Sequence, residues 1–194
     1  MLVALALGSA YRPAAFSAAQ NDTAKVAALL AALPQPLSLD APTRTADCAI
    51  AGPYPDHACT PGAVFTGATA DAICTPGYSE KVRNVSVSLK KQIYAAYGIA
   101  YPQPAGSYEL DHVVPLELGG SNDAANLFPE AAQPAPGFKE KDVVEDYLHD
   151  EVCAGRLGLA AAQKQIATDW VAVYDSLSPA TISAIKQKYA SWAD

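Results

Sequence analysis

The run from Tyr108 to Glu130, YELDHVVPLELGGSNDAANLFPE, constrains this chain more than any other stretch. It opens strand-like at Tyr108-Glu109-Leu110 and then sets a carboxylate beside an imidazole at Asp111-His112. A loop punctuated by Pro115, Gly119 and Gly120 follows, and Asn126-Leu127-Phe128-Pro129 reads as a second short strand. Beyond a Pro/Gly spacer, a charged helix is expected from about Phe138 to Val152.

Strand, loop, strand and helix around an Asp-His pair is an arrangement suited to hydrolysis. At a strand-to-loop junction two neighbouring side chains can diverge and take separate tasks. A neutral imidazole such as His112 accepts a proton from water near neutral pH. A carboxylate such as Asp111 is a hard oxygen ligand for Mg²⁺, Mn²⁺ or Ca²⁺. Gly119-Gly120 allows a tight loop, and the amides of Asn122 and Asn126 can bond its backbone and hold His112.

The segment DHVVPLELGGSNDAANL resembles the HNH nuclease motif of the ββα-metal (His-Me finger) superfamily, over about Tyr108 to His149. The flanks ICTPGYSEKVRNV and KEKDVVEDYLHDEVCAG are similar to those of a subgroup of small exported bacterial HNH proteins. The resemblance implies Asp111 as ligand to one divalent metal, Mg²⁺ or Mn²⁺, and His112 as general base. It implies Asn126 as the central Asn that fixes the loop. Many HNH proteins place a His or Asn near the start of the following helix, where this chain has Lys139, a poor ligand for a hard cation. The same helix offers Asp142, Glu145, Asp146 and His149, and spacings of three and four put Asp142, Glu145 and His149 roughly on one face. Glu145 with His149 is the favoured pair to complete the metal site, with Asp142 a further candidate. Lys139 or Lys141 would then contact a phosphate.

The rest of the chain frames this motif. Residues 1–20 have the apolar run and small-residue tail of a secretory signal, without the usual basic start, or form an apolar N-terminal segment. A helix capped near Asn21-Asp22-Thr23 and a proline-punctuated linker are expected over residues 21–58. Residues 59–194 would form the nuclease domain, its core about 106–152. Four cysteines in a chain read as secreted or periplasmic point to two disulfides, with three connectivities open. Cys48 with Cys59, closing a local loop, and Cys74 with Cys153, tying the segment before the motif to the end of the charged helix, are favoured.

Lys81, Arg83, Lys90 and Lys91 form the densest basic stretch, either a phosphate-contacting strip or a solvated face beside a helix near SLKKQIYAAYGI. Two further helices, about Leu157–Leu177 and Ser178–Lys188, carry apolar residues at core spacing. The net charge of −7 and pI near 4.8 argue against tight, metal-free nucleic-acid binding. The expected fold is α+β, a mostly helical domain around a ββα-metal finger with a short two-stranded hairpin. The expected activity is metal-dependent hydrolysis of phosphodiesters in DNA, with RNA open. A finger that binds without cleaving, or a hydrolase of other phosphodiesters, are the alternatives.

Overall fold

The computed structural model describes Asp22, Lys25 and residues 41–190. The signal-like segment, most of the N-terminal helix and Trp192 lie outside the described residues. Between residue 41 and the motif lie three helices: α1 (Ala70–Ile73), α2 (Tyr78–Val82) and α3 (Val87–Ala96). The hairpin pairs β1 (Tyr108–His112) with β2 (Leu127–Ala131), and α4 (Phe138–Cys153), α5 (Leu159–Ser176) and α6 (Pro179–Lys188) follow. Among the described residues the fold is therefore a mixture of helix and one two-stranded antiparallel sheet.

Local chemistry accounts for several helix starts. Ser86 Oγ accepts from Leu89 N at 3.1 Å to start α3, and Ser178 Oγ accepts from Thr181 N at 3.1 Å to start α6. At α4 the N–H of Gly137 donates to the Glu140 carboxylate at 3.0 Å. The short helices α1 and α2 have no legible apolar period in the sequence and were not expected. The long helix α5 was expected to be continuous, yet Asp169 is non-helical at φ −158°, ψ 72°. Its Oδ1 accepts from Ala172 N at 3.0 Å, as a capping residue does, and from the Tyr54 hydroxyl at 2.6 Å. A carboxylate at the break thus restarts the helix and ties it to the segment before α1.

Two apolar clusters flank the hairpin. The larger contains Ile73, Val114, Leu118, Val144, Leu148, Ile166 and Trp170 and joins α4 to α5. The smaller gathers Ile93, Tyr97, Val113, Leu127 and Phe128 around the Cys48–Cys59 disulfide. Val113 and Val114 enter different clusters, so the loop leaving β1 is pinned from both sides. Tyr94 and Tyr97 are buried, and Tyr94 meets Tyr101 edge-on at 5.3 Å, so these rings pack.

The disulfides join Cys48 to Cys59 and Cys74 to Cys153, as favoured from the sequence. The second spans 79 residues. Closing a loop of that length removes about 4–5 kcal/mol of unfolded-chain entropy. Such bonds suit an oxidising compartment. No helix among the described residues is long and apolar enough to cross a membrane.

Candidate active site

β1 runs two residues further than expected, carrying Asp111 and His112 opposite Phe128 and Leu127 of β2. Both thereby gain a fixed backbone, and their side chains diverge. The carboxylate meets α4, whereas His112 Nε2 lies 3.4 Å from Asn122 Oδ1 in the loop.

Asn126, fully buried at the end of that loop, bonds its backbone on four sides. Its Oδ1 accepts from Val114 N at 2.9 Å and Ala63 N at 3.1 Å. Its Nδ2 donates to Val114 O and Ser121 O, each at 2.9 Å. The Gly119-Gly120 pair is needed for two different reasons. Gly119 has φ +79°, and a Cβ on Gly120 would lie 1.7 Å from Val114 O. Asn126→Ala leaves several of these buried groups unpaired. It is expected to cost about 3 kcal/mol or more, a fall of about 10 °C in calorimetric midpoint. A fall of under about 3 °C would show that the loop is held elsewhere.

Asn122 links the loop to the basic stretch. Its Nδ2 donates to Val82 O at 2.8 Å, and its Oδ1 accepts from Asn84 N at 3.3 Å. Arg83, between these two residues in sequence, lines the same cavity as His112 and Asp111. Lys81, Lys90 and Lys91 do not line it. No ion pair engages any of these four basic residues among the described residues.

The cavity, about 310 Å³, is strongly acidic: Glu109, Asp111, Glu117, Asp142, Glu145 and Asp146 all line it. Burial and the neighbouring carboxylates push Glu109 and Glu117 up to about 8. Burial, with Asp142 and Asp150 nearby, pushes Asp146 up to about 7. His112 is only 5% exposed. Burial pulls its imidazole down to about 4 despite the opposing pull of Asp111, so the ring is neutral at physiological pH. Glu130, opposite Glu109 in the hairpin, is buried, and its carboxyl is raised by that burial and by Asp111.

Two candidates from the sequence take different places. Lys141 is not at the surface to meet a phosphate but 1% exposed. Its ammonium donates to Asp111 Oδ2 at 2.9 Å, to His112 O at 2.7 Å and to Glu145. Burial works against its charge, but Asp111, Glu145 and Glu130 outweigh that and hold its pKa well above the usual lysine value. His149 does not line the cavity either. Four residues beyond Glu145 is a rise of about 6 Å along the helix, and its Nε2 lies 3.3 Å from Ile73 O, beside Cys153. Asp142 and Glu145 do reach the cavity, and the exposed Lys139 lines an adjoining groove with Tyr108, Phe138 and Lys186.

No family model matches the chain, and neither a curated protein nor a solved structure does. The chemistry must be read from the cavity itself.

Carboxylate oxygen is the ligand type that hard divalent cations prefer. Six carboxylates line the cavity, and Glu109, Glu117 and Asp146 are raised toward neutral pH or above by burial first and by the neighbouring carboxylates second. Lys141 pairs with both Asp111 and Glu145, and the Asp111 carboxyl is held low while burial keeps that of Glu145 well above its usual value. Each Asp111 oxygen keeps a second lone pair beyond the bonds it accepts from Lys141 and from His112 N. Glu109 and Asp142 lie close enough to Asp111 to be raised by it. Glu109 and Glu117 were missed as candidates because they come from separate segments with no shared spacing, whereas Asp146, offered by the same helix as Asp142 and Glu145, also reaches the cavity.

Proposed function

We propose that this chain is a divalent-metal-dependent nuclease of the HNH kind, hydrolysing phosphodiester bonds in DNA or RNA. The observation that carries the reading is a neutral, loop-held imidazole at an acid-lined cavity, at the last residue of a strand and beside an α-helix. The order strand, Asn-clamped loop, strand, helix supports the same reading.

His112 is the general base and takes a proton from the attacking water, a task suited to its neutral ring. Asn122 orients that ring, and Asn126 positions the loop that carries Asn122. Asp111, with Glu109 and Asp142, would hold the cation. When bound, a divalent cation supplies charge stabilisation to the phosphoryl and leaving oxygens. Arg83, exposed on the cavity rim, contacts a phosphate oxygen. The adjoining groove, with Lys139 and Lys186 on its edge and Tyr108 and Phe138 in its wall, takes the flanking strand. With a net charge of −7, the protein depends on its cation to accept a polyanion.

One observation favours a second reading. Lys141 stands between Asp111 and Glu145 as an internal counter-charge, which suits a finger that binds without cleaving. Nicking of supercoiled plasmid separates the two. Relaxed product is expected with Mg²⁺ or Mn²⁺ and none with excess chelator. Hydrolysis of a small aryl phosphodiester, with none of plasmid, single-stranded DNA or RNA, assigns a different phosphodiesterase. Binding of nucleic acid without hydrolysis of any substrate leaves the non-cleaving finger.

A further inference from the structure

A second cluster of ligating atoms lies away from the acidic cavity, where α4 ends against α1. Cys74, His149 and Cys153 each offer one donor atom, and these lie within 4.8 Å of one another. Cys74 and Cys153 form a disulfide here, and His149 Nε2 is 3.4 Å from Cys153 Sγ. The other ring nitrogen, Nδ1, is buried without a hydrogen-bond partner, so no bond there fixes the tautomer and the proton can sit on Nδ1, leaving the Nε2 lone pair to a metal beside the sulfurs. The disulfide spans the gap between the two helices, and the imidazole adds a third donor beside it.

We propose that the reduced form of this site binds one zinc ion through Cys74, Cys153 and His149, so that metal and disulfide are alternative clamps on the same two helices. Two thiolates and one imidazole form a borderline-soft donor set that selects zinc over the hard cations suited to the carboxylate cavity. Reduction breaks the S–S bond with two electrons. A dithiol reductant is oxidised to its own disulfide and passes on its two protons, whereas a phosphine takes oxygen from a water whose two protons go to the sulfurs. Two thiols result, with either a disulfide or a phosphine oxide. Zinc then displaces both thiol protons, and a water fills the fourth position. Cys153 is exposed, so its sulfur is open to a small reductant, whereas Cys48 and Cys59 are buried at 8% and 6%. The chain also holds these thiols before it is first oxidised, when a metal clamp is the only one available. The inference does not depend on nuclease activity.

The test treats the full chain with a water-soluble phosphine under argon in the presence of one equivalent of Co²⁺, later exchanged for Zn²⁺. Thiolate-to-cobalt charge-transfer bands are expected only in the reduced protein, with helical circular dichroism retained. X-ray absorption of the zinc form should show two sulfurs at about 2.3 Å and at least one nitrogen at about 2.0 Å. Bound zinc should protect Cys74 and Cys153 from alkylation, and His149→Gln should weaken binding about tenfold or more. A first shell of oxygen and nitrogen alone, protection of Cys48 and Cys59 instead, or loss of helical signal despite the metal each overturns the proposal. So does unchanged affinity in a His149→Gln protein that folds normally when oxidised.

Discussion

His112→Ala is expected to lower plasmid nicking by about 10²–10⁴-fold, the usual worth of a positioned general base. The loss should fall on turnover, since Asp111, Glu109, Asp142 and Arg83 are untouched. The ring's hydrogen bond is the long one to Asn122, at 3.4 Å. The backbone of residue 112 is held by β2 and by Lys141, whose bond goes to the carbonyl and survives the substitution. The variant should therefore stay folded, with its melting midpoint as the control. Added imidazole should restore part of the rate by entering the space that the side chain leaves. Equal nicking by the two proteins would remove His112 from the mechanism, and the proposed function with it.

Lys141→Met should have the largest effect on stability. The ammonium is buried among Asp111, Glu145 and Glu130 and bonds the backbone of His112 as well. Removing one partner of a buried ion cluster leaves uncompensated charge and typically costs about 3–5 kcal/mol. The sign of its pH dependence follows from which groups are left behind. In the native protein Lys141, against the cost of burial, holds Asp111 below the usual aspartate range, so that contribution is lost only as pH falls through that lowered value. Burial already holds Glu145 well above its usual value in the native protein. In the variant nothing opposes burial, so Asp111 also moves above its unfolded value and Glu145 rises further. Their penalty is then absent at low pH and grows as pH rises. The stability gap between the two proteins should therefore narrow from pH 8 to pH 5 in chemical denaturation. Millimolar Mg²⁺ or Mn²⁺ should narrow it further at pH 8 by standing in for the ammonium. A gap independent of pH would mean that Lys141 carries little of the cluster's charge balance.

Several features of the fold and site were open to reading along the chain because their causes are local. The Asp-His pair, the Gly-Gly turn, the serine caps of α3 and α6 and the helical stripe of α4 depend on residues a few positions apart. Loop closure and an even cysteine count likewise favoured the observed disulfide pairing. What could not be read was the rotation of α4 about its axis. That angle is set by Val144 and Leu148 packing onto α5, and it turns Lys141 inward on the same stripe. Lys141 sits at core spacing with these two residues, three and seven positions before them, but its charge disguised it as a surface residue.

The sequence alone determined that a strand, a tight Asn-bearing loop and a helix would bring an imidazole and a carboxylate to one end of a hairpin. Only the tertiary structure decided what surrounds them. Arg83 from α2's end, Glu109 from β1, Glu117 from the loop and Asp142 and Asp146 from α4 converge on one cavity, while His149 turns away to the disulfide. Spacing along a chain specifies which residues share a face of one element. The meeting of faces from different elements is set by core packing, to which every element contributes at once.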